Sequence, residues 1–556
     1  MDNLYLQVED GEIIWYQTGH KGQRSGDPYD SYAGLIFKSL GAVSSDAVLQ
    51  VQKPSDRLGD FTVSRGSVAT RVNPQGLVED VFELSDELVT NGDFSNGGAA
   101  WTIPNSVSIV GGEAVFDGTG SFEALEQGLS ADLEAKTYQY SYTITEYTSG
   151  TIRFKINTGG VAPGFDDADR SSVGTFTGTY TATGGENLLF LQARGTFVGK
   201  IDNVSVKEIS YDIARIDYTN GVPELLTEPE STNLLASSED FTSANWSKIN
   251  TSVSSNSIVS PDGNLSADLI TVTGASGRVI ASGTSIIGSN TVSIYLKYSD
   301  QTQTLIRLLD GTTTFTLTLD WVGTEPIYNS DNGDSYSIKE FINGWYFVTF
   351  SATLVSTTAT SQIYINGFGS GGSGYIWGAQ LEALPYATSY IPTAGSTVTR
   401  LQDVITDGGN VNVINSEEGT LLFEGSALFD DLTIRELSVN DGSGANRLEI
   451  RYNTASNQIQ AIQRSASTAN VIINYNVSDI ADNNKVAFKW KAGDYALWIN
   501  GVERATSVFA TTFAANILNS VDFNDGIPTS PFFGRTRALK VYDRALTDEE
   551  LTTVTT

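Results

Sequence analysis

The chain has 556 residues, too many for one hydrophobic core, so three or four domains are expected. Apolar residues make up 40% and charged residues only 18%, and the abundance of Thr, Val, Ile, Tyr and Phe among scattered Gly and Asn implies an all-β protein. A formal charge of −32, from 33 basic and 65 acidic residues, excludes the basic stripe that nucleic acid requires; the lack of Cys excludes disulfides and thiolate chemistry, and a single His, His20, excludes Ser-His catalysis and multi-His metal sites.

No apolar run reaches the length of a membrane span, so no membrane insertion is expected. The N-terminus, MDNLYLQVEDGEIIW, has neither a basic n-region nor an apolar h-region. Residues 1–55 carry two short strand patterns, YLQV and GEIIWYQ, a Gly-rich loop and SYAGLIFKSLGAV. They read either as a small docking or oligomerisation segment or as a strand pair capping the next domain.

Residues 56–81, DRLGDFTVSRGSVATRVNPQGLVEDV, are followed only at 214–235 by ARIDYTNGVPELLTEPESTNLL, and the closing stretch 374–400 reads GYIWGAQLEALPYATSYIPTAGSTVTR. In that last stretch Tyr375, Trp377, Gln380 and Glu382 alternate with Ile376, Ala379 and Leu381 around Gly378, one strand whose exit is punctuated by Pro385 and Pro392. These segments, with INGWYFVTFSATL at 342–354, resemble segments of virion structural proteins of tailed bacteriophages, where WGAQLE and ATSYIPT close a β-sandwich ahead of a lectin-like domain. In that family the first two segments adjoin within a few residues, so the resemblance implies that 82–213 is an insertion into a host sandwich formed by 56–81 and 214–400.

The insertion opens with ELVTNGDFSNGGAAWTI and ends with FVGKIDNVSVKEI, and between them run alternating segments such as TYQYSYTITEY and NLLFLQARG. It resembles a jelly-roll carbohydrate-binding module. The host repeats its grammar: Phe94 precedes Trp101 as Phe241 precedes Trp246, and IWGAQLEAL parallels KIDNVSVKEI, so two diverged copies of one module are expected. From 404 to 556 the hairpin around Ala492-Gly493-Asp494, the turn at Asn500-Gly501 and a capping box from Thr547 to Glu550 resemble a concanavalin-A-like or laminin-G-like sandwich closed by a short helix. The expected fold is therefore all-β and multidomain: tandem and inserted jelly-roll β-sandwiches plus a C-terminal concanavalin-A-like sandwich.

Resemblance to related jelly rolls implies a structural calcium on Asp202, with Asp93 in TNGDF as the partner; the alternative is that both merely end strands and bond backbone amides. Asp166, Asp167 and Asp169 in GFDDADR read as a solvated loop or a second cation or sugar site, and NDGSGANR (440–447) and DFNDG (522–526) are the candidate calcium loops of the last domain. Sugar binding asks for an exposed aromatic platform beside amides and carboxylates. Trp101, Trp246, Trp345, Trp377, Trp490 and Trp498 lie in or beside strands where core packing is favoured, with Tyr147, Phe165 and Tyr452 as alternatives near loops.

No Asp or Glu pair is singled out by apolar flanks and no long β-helix period is present, so no catalytic residue and no organic cofactor is expected. The resemblance implies a non-enzymatic virion surface protein, a tail fibre, appendage or capsid decoration, assembled in the host cytoplasm and released by lysis. Its expected partners are other virion proteins through the N-terminal segment, host-surface glycans, and further copies of itself, a trimer if it is a fibre. A glycan hydrolase or lyase with accessory sandwiches, and a purely architectural decoration protein, are the alternatives.

Overall fold

A computed structural model describes the backbone of residues 4–9, 12–17 and 33–38, and residues 61–556 apart from 159–163, 283–285, 357–359, 365, 366, 368 and 528. His20 lies outside the described residues, as does most of the segment expected to dock or oligomerise. Within it, Leu4–Glu9 and Glu12–Gln17 form an antiparallel hairpin. The fold is all-β as expected, with one α-helix among the described residues, Asp548–Thr555, opened by the Thr547–Glu550 capping box.

The chain divides into two compact units, Phe82–Tyr211 and the remainder. The first is organised by two long strands, Thr137–Asn157 and Leu188–Ser210, antiparallel to each other along most of their length. Register shifts between Ser141 and Thr151 interrupt the pairing in the middle of the two strands. Strict alternation places Tyr138, Tyr140, Tyr142, Ile152, Phe154 and Ile156 in the core and their neighbours outside.

The second unit holds two sandwiches. In the middle one, Trp246–Ile249, Arg278–Ser282, Thr360–Tyr364, Gln303–Leu309, Thr314–Val322 and Glu325–Asp331 form one six-stranded sheet. Thr251–Val259, Leu265–Val272, Ser373–Glu382, Gly288–Tyr298, Trp345–Leu354 and Ser335–Glu340 form the other. The expected Phe-Trp repeat has one geometry in both units: the Phe94–Trp101 and Phe241–Trp246 rings lie 5.2 and 4.7 Å apart at 38° and 39°. Each indole N–H donates to the carbonyl ten or nine residues upstream, Trp101 to Asn91 and Trp246 to Ser237.

The C-terminal sandwich sets the five-stranded sheet of Arg435–Asn440, Arg447–Tyr452, Gln458–Ser465, Thr468–Asn476 and Ser520–Asp522 against a larger one built on Glu418–Ala427, Asn484–Lys491, Tyr495–Ile499, Val502–Ser507 and Gly534–Tyr542. Arg215–Asp217 and Glu224–Thr227, assigned from sequence to the host sandwich, are instead strands of this larger sheet, with Leu225 opposite Thr536. Phe61, Ala214, Ile216 and Leu225 accordingly pack in its core, whereas Val78 packs with Tyr295, Trp345 and Trp377 of the middle sandwich. The alternation in RIDYTNGVPELL suits either sheet, and only the partner strand, three hundred residues away in the chain, decides between them.

The segments 61–81, 214–228 and 387–403 thus tie the two sandwiches together, and their charges meet in one dry cluster. Arg215 pairs with Glu228 (2.7 Å) and Asp403, Arg400 with Glu228, and Arg65 with Asp403 (3.1 Å), all with side chains at most 4% exposed. Burial alone would lift the Glu228 carboxyl, but Arg400 and Arg215 outweigh it and hold the group down to about 2. Burial also lowers Arg65, with Arg215 and Arg400 adding repulsion.

Glu228, depressed in the fold, contributes stability above its ordinary carboxyl range and loses it as pH falls from about 4.5 through about 2, so acid denaturation is expected to begin in that window. Arg215→Ala, which leaves two buried carboxylates short of a partner, is expected to cost about 3–5 kcal/mol in chemical denaturation of the full chain at neutral pH. A loss below 1 kcal/mol would contradict the clamp.

Candidate cleft on the C-terminal sandwich

The two loops singled out as DFNDG and NDGSGANR are brought together at one end of the C-terminal sandwich. They line a cleft of about 490 Å³ that also takes in Val404, Thr406, Asp407, Gly409 and Asn519. Its floor is Asp522, 5% exposed, at the end of the short strand Ser520–Asp522. Asp522 Oδ1 accepts the Asp407 N–H (2.7 Å) and the Ser520 hydroxyl (2.8 Å), and its Oδ2 accepts Asn440 Nδ2 (2.8 Å). The Asn440 amide oxygen accepts the Gly442 N–H at 2.8 Å.

Around this floor each acidic loop is tied to itself. Asp441 accepts the Ser443 N–H and hydroxyl and the Asn446 amide, and these bonds hold its carboxyl below its usual range against the effect of burial. Asp525 accepts the Thr529 hydroxyl at 2.7 Å. Asp407, exposed and at φ +65°, and Asn519, also exposed, are the rim groups that face solvent. The lining offers carboxylates, amides and a hydroxyl to a polar ligand but no aromatic platform. Among the described residues no three acidic or histidine side chains converge in a way that could hold a metal ion.

The other sequence candidates fall elsewhere. The six candidate tryptophans are each at most 7% exposed, and Tyr452 is buried, so none of these is a platform; Tyr147 and Phe165 are half-buried against the core of the inserted unit. Asp166 and Asp169 pair with Arg153, and Asp167 with Arg170, so the GFDDADR carboxylates are engaged by arginines. Asp93 accepts the Ser95 N–H and hydroxyl; Asp202 accepts the Asn203 N–H (2.7 Å) and side-chain amide. Burial raises the Asp202 carboxyl, and the charges of Glu113 and Asp93 add to the rise; the Val204 N–H donates to the Gly92 carbonyl at 2.9 Å, which sets the turns carrying Asp93 and Asp202 side by side. Sequence reasoning missed Asp407, whose signal was its position before Gly408-Gly409, an Asp-Gly turn where a left-handed residue is common.

Two carboxylates, Glu436 and Glu449, do lie together on the face of the five-stranded sheet turned away from the core. Glu436 is pushed up to about 7 by burial and by the neighbouring charge of Glu449. Arg451 pairs with Glu436 at 2.9 Å, and Arg447 and Arg464 pair with Glu449. Both acids are at most 3% exposed and neither lines the cleft, so the pair is a covered ion network and not an acid-base couple open to substrate.

No family model matches the chain, and no curated protein matches it. Among solved structures, a native heptameric SAP-like pentraxin from Limulus polyphemus aligns over 26% of this chain and 71% of its own at 13% identity and a TM-score of 0.22. Domains LG4-5 of the mouse laminin alpha1 chain align over 48% and 86% at 10% identity and a TM-score of 0.19. A Trypanosoma rangeli sialidase in complex with the inhibitor DANA aligns over 88% and 96% at 9% identity and a TM-score of 0.21. Likenesses at these scores carry no argument about function, and the sandwich assignment stands on strand order and register.

A carboxyl raised in the fold adds stability below its ordinary value and loses it as pH rises through the folded one. Glu436→Gln is therefore expected to be more stable than the parent above pH about 7, by ~3 kcal/mol at most, with the difference vanishing below pH about 4.5. Thermal midpoints of both proteins across that range read the effect, and a pH-independent difference would contradict it.

Proposed function

We propose that this chain is a non-enzymatic surface protein of a tailed-phage particle, a fibre, appendage or capsid decoration, that binds glycans. The observation that carries the virion reading is spatial: the segments resembling phage virion proteins, far apart in the chain, supply Arg65, Arg215, Glu228 and Arg400, four of the five members of the buried cluster, and the fifth, Asp403, follows three residues after the last segment. A resemblance that coincides with one cooperative three-dimensional junction has more weight than three isolated strings. WGAQLE has the same character: Gln380 donates to Glu382 at 2.7 Å, and Glu382 accepts Ser231 and the Thr388 N–H, fastening ATSYIPT to the closing strand.

Glycan binding is supported by the cleft, where the exposed Asp407 and Asn519 present the hydrogen-bonding groups that sugar hydroxyls accept and donate to. The covered position of Glu436 and Glu449 favours the binding reading over hydrolysis. Particle association through the N-terminal segment, and a homo-oligomer that raises avidity, trimeric in a fibre, belong to the same proposal.

A calcium ion between Asp93 and Asp202 in the inserted unit is also proposed, since the two acids sit on turns joined by the Val204 N–H to Gly92 carbonyl bond and both supply carboxylate oxygens, the donors calcium takes. If it binds, excess chelator lowers the thermal midpoint of the full chain and Asp202→Asn abolishes that response. A midpoint unchanged by chelator leaves both acids as turn-forming groups.

Glycan-array binding of the full chain tests the main reading, with particle-bound protein located by electron microscopy. Asp407→Asn, which keeps the left-handed backbone, and Asn519→Ala are each expected to weaken cleft binding about tenfold, ~1.4 kcal/mol, without shifting the melting point. Release of reducing ends from the bound glycan would instead support a hydrolase.

A further inference from the structure

The inserted unit carries an aromatic side chain in an unusual setting. Phe122 has φ +66°, a conformation that bulky residues rarely adopt, and its ring is 59% exposed. The backbone is held there from both sides: the Phe122 N–H donates to the Ala193 carbonyl (3.1 Å), and the Phe122 carbonyl accepts Gln192 Nε2 (3.2 Å). The hydrophobic effect would favour tucking the ring inward, yet this loop is pinned so that the ring faces solvent.

The guanidinium of Arg194 lies over that ring, with Cζ 4.9 Å from its centroid. Leu191 and Ala193 are core residues, so Gln192 and Arg194 project from the outer face of the same strand. Arg153, across the sheet from Gln192, is neutralised by Asp166 (3.2 Å) and Asp169 (2.7 Å). Among the described residues no carboxylate pairs with Arg194, although the chain has 65 acidic residues against 33 basic ones. An unneutralised guanidinium stacked on one face of an exposed ring offers two complementary features: the ring's uncovered face and edge, an apolar platform for the C–H face of a pyranose, and beside the ring edge a planar fork for a carboxylate.

We propose that Phe122, Arg194 and Gln192 form a binding site for glycans bearing uronic acid residues, separate in chemistry from the platform-free C-terminal cleft. This site deepens the glycan-binding reading and rests on it. Phe122 takes the sugar face, Arg194 the carboxylate, and Gln192 fixes the loop that presents the ring.

The test uses the full chain with polygalacturonate and, as the matched neutral probe, the same polymer fully methyl-esterified. The parent is expected to bind polygalacturonate at least tenfold more tightly than the ester, with affinity falling as salt rises. Arg194→Gln and Phe122→Gly are each expected to lose at least tenfold on polygalacturonate, while Asp407→Asn retains parental affinity for it. Phe122→Gly is also expected to keep or raise the melting point, because glycine adopts φ +66° freely, so its lost binding cannot be ascribed to unfolding. Parental affinity in both variants, or equal binding of acid and ester, overturns the site. Binding of neutral glycans by the parent with none to polygalacturonate overturns it too, while leaving the wider glycan reading intact.

Discussion

The constraint on which the larger unit depends is the burial of three arginines and two carboxylates at the junction of its sandwiches. Removing such charges from water is costly, and the cost is offset only if every partner is in place at once. Arg65 enters with the segment before the inserted unit, Arg215 and Glu228 flank the strand hairpin added to the C-terminal sheet, and Arg400 and Asp403 come from the exit of the middle sandwich. Further bonds extend the clamp: Ser389 donates to Glu228, and Asp217 accepts both the Val72 N–H and Arg535. Middle and C-terminal sandwiches are therefore tied by electrostatics that tolerate no missing member, in addition to the apolar cores to which the joining segments contribute, Phe61 and Leu225 in one and Val78 in the other.

This junction also accounts for where the inserted unit leaves and re-enters the chain. Arg65 Nη2 donates to the Val81 carbonyl at 3.2 Å, and the Arg65 N–H donates to Asp212 at 2.8 Å, so the last residue before the Phe82–Tyr211 unit and the first after it are held by the same arginine. Exit and return points fixed together are what lets a whole domain be accommodated without disturbing its host.

Features governed by local rules were legible in the sequence. The Asn500-Gly501 turn, with both residues at positive φ, the Thr547 cap and the Phe-Trp pairs all follow from neighbours within about ten residues. Features decided by distant partners were not. The hairpin Arg215–Thr227 could pair with either sandwich until Gly534–Tyr542 was placed beside it, and the cluster joins residues up to 338 positions apart. The candidate site was half legible: 440–447 and 522–526 stand out in the sequence as candidate calcium loops, but their meeting in one cleft, and the rim position of Asp407, needed the fold. Phe122 was hidden because nothing in GTGSFEAL announces a left-handed phenylalanine, whereas its stacking cation lies seventy-two positions later in the chain.

Whether the ion cluster couples the two sandwiches is read most directly by hydrogen exchange on the full chain, comparing the parent with Glu228→Gln at neutral pH. The account predicts that protection falls together in 224–227, 398–403 and 534–542, on both sides of the junction, while 82–211 exchanges as in the parent. Loss of protection confined to the immediate neighbours of residue 228, with the strands of both sandwiches unaffected, would contradict it.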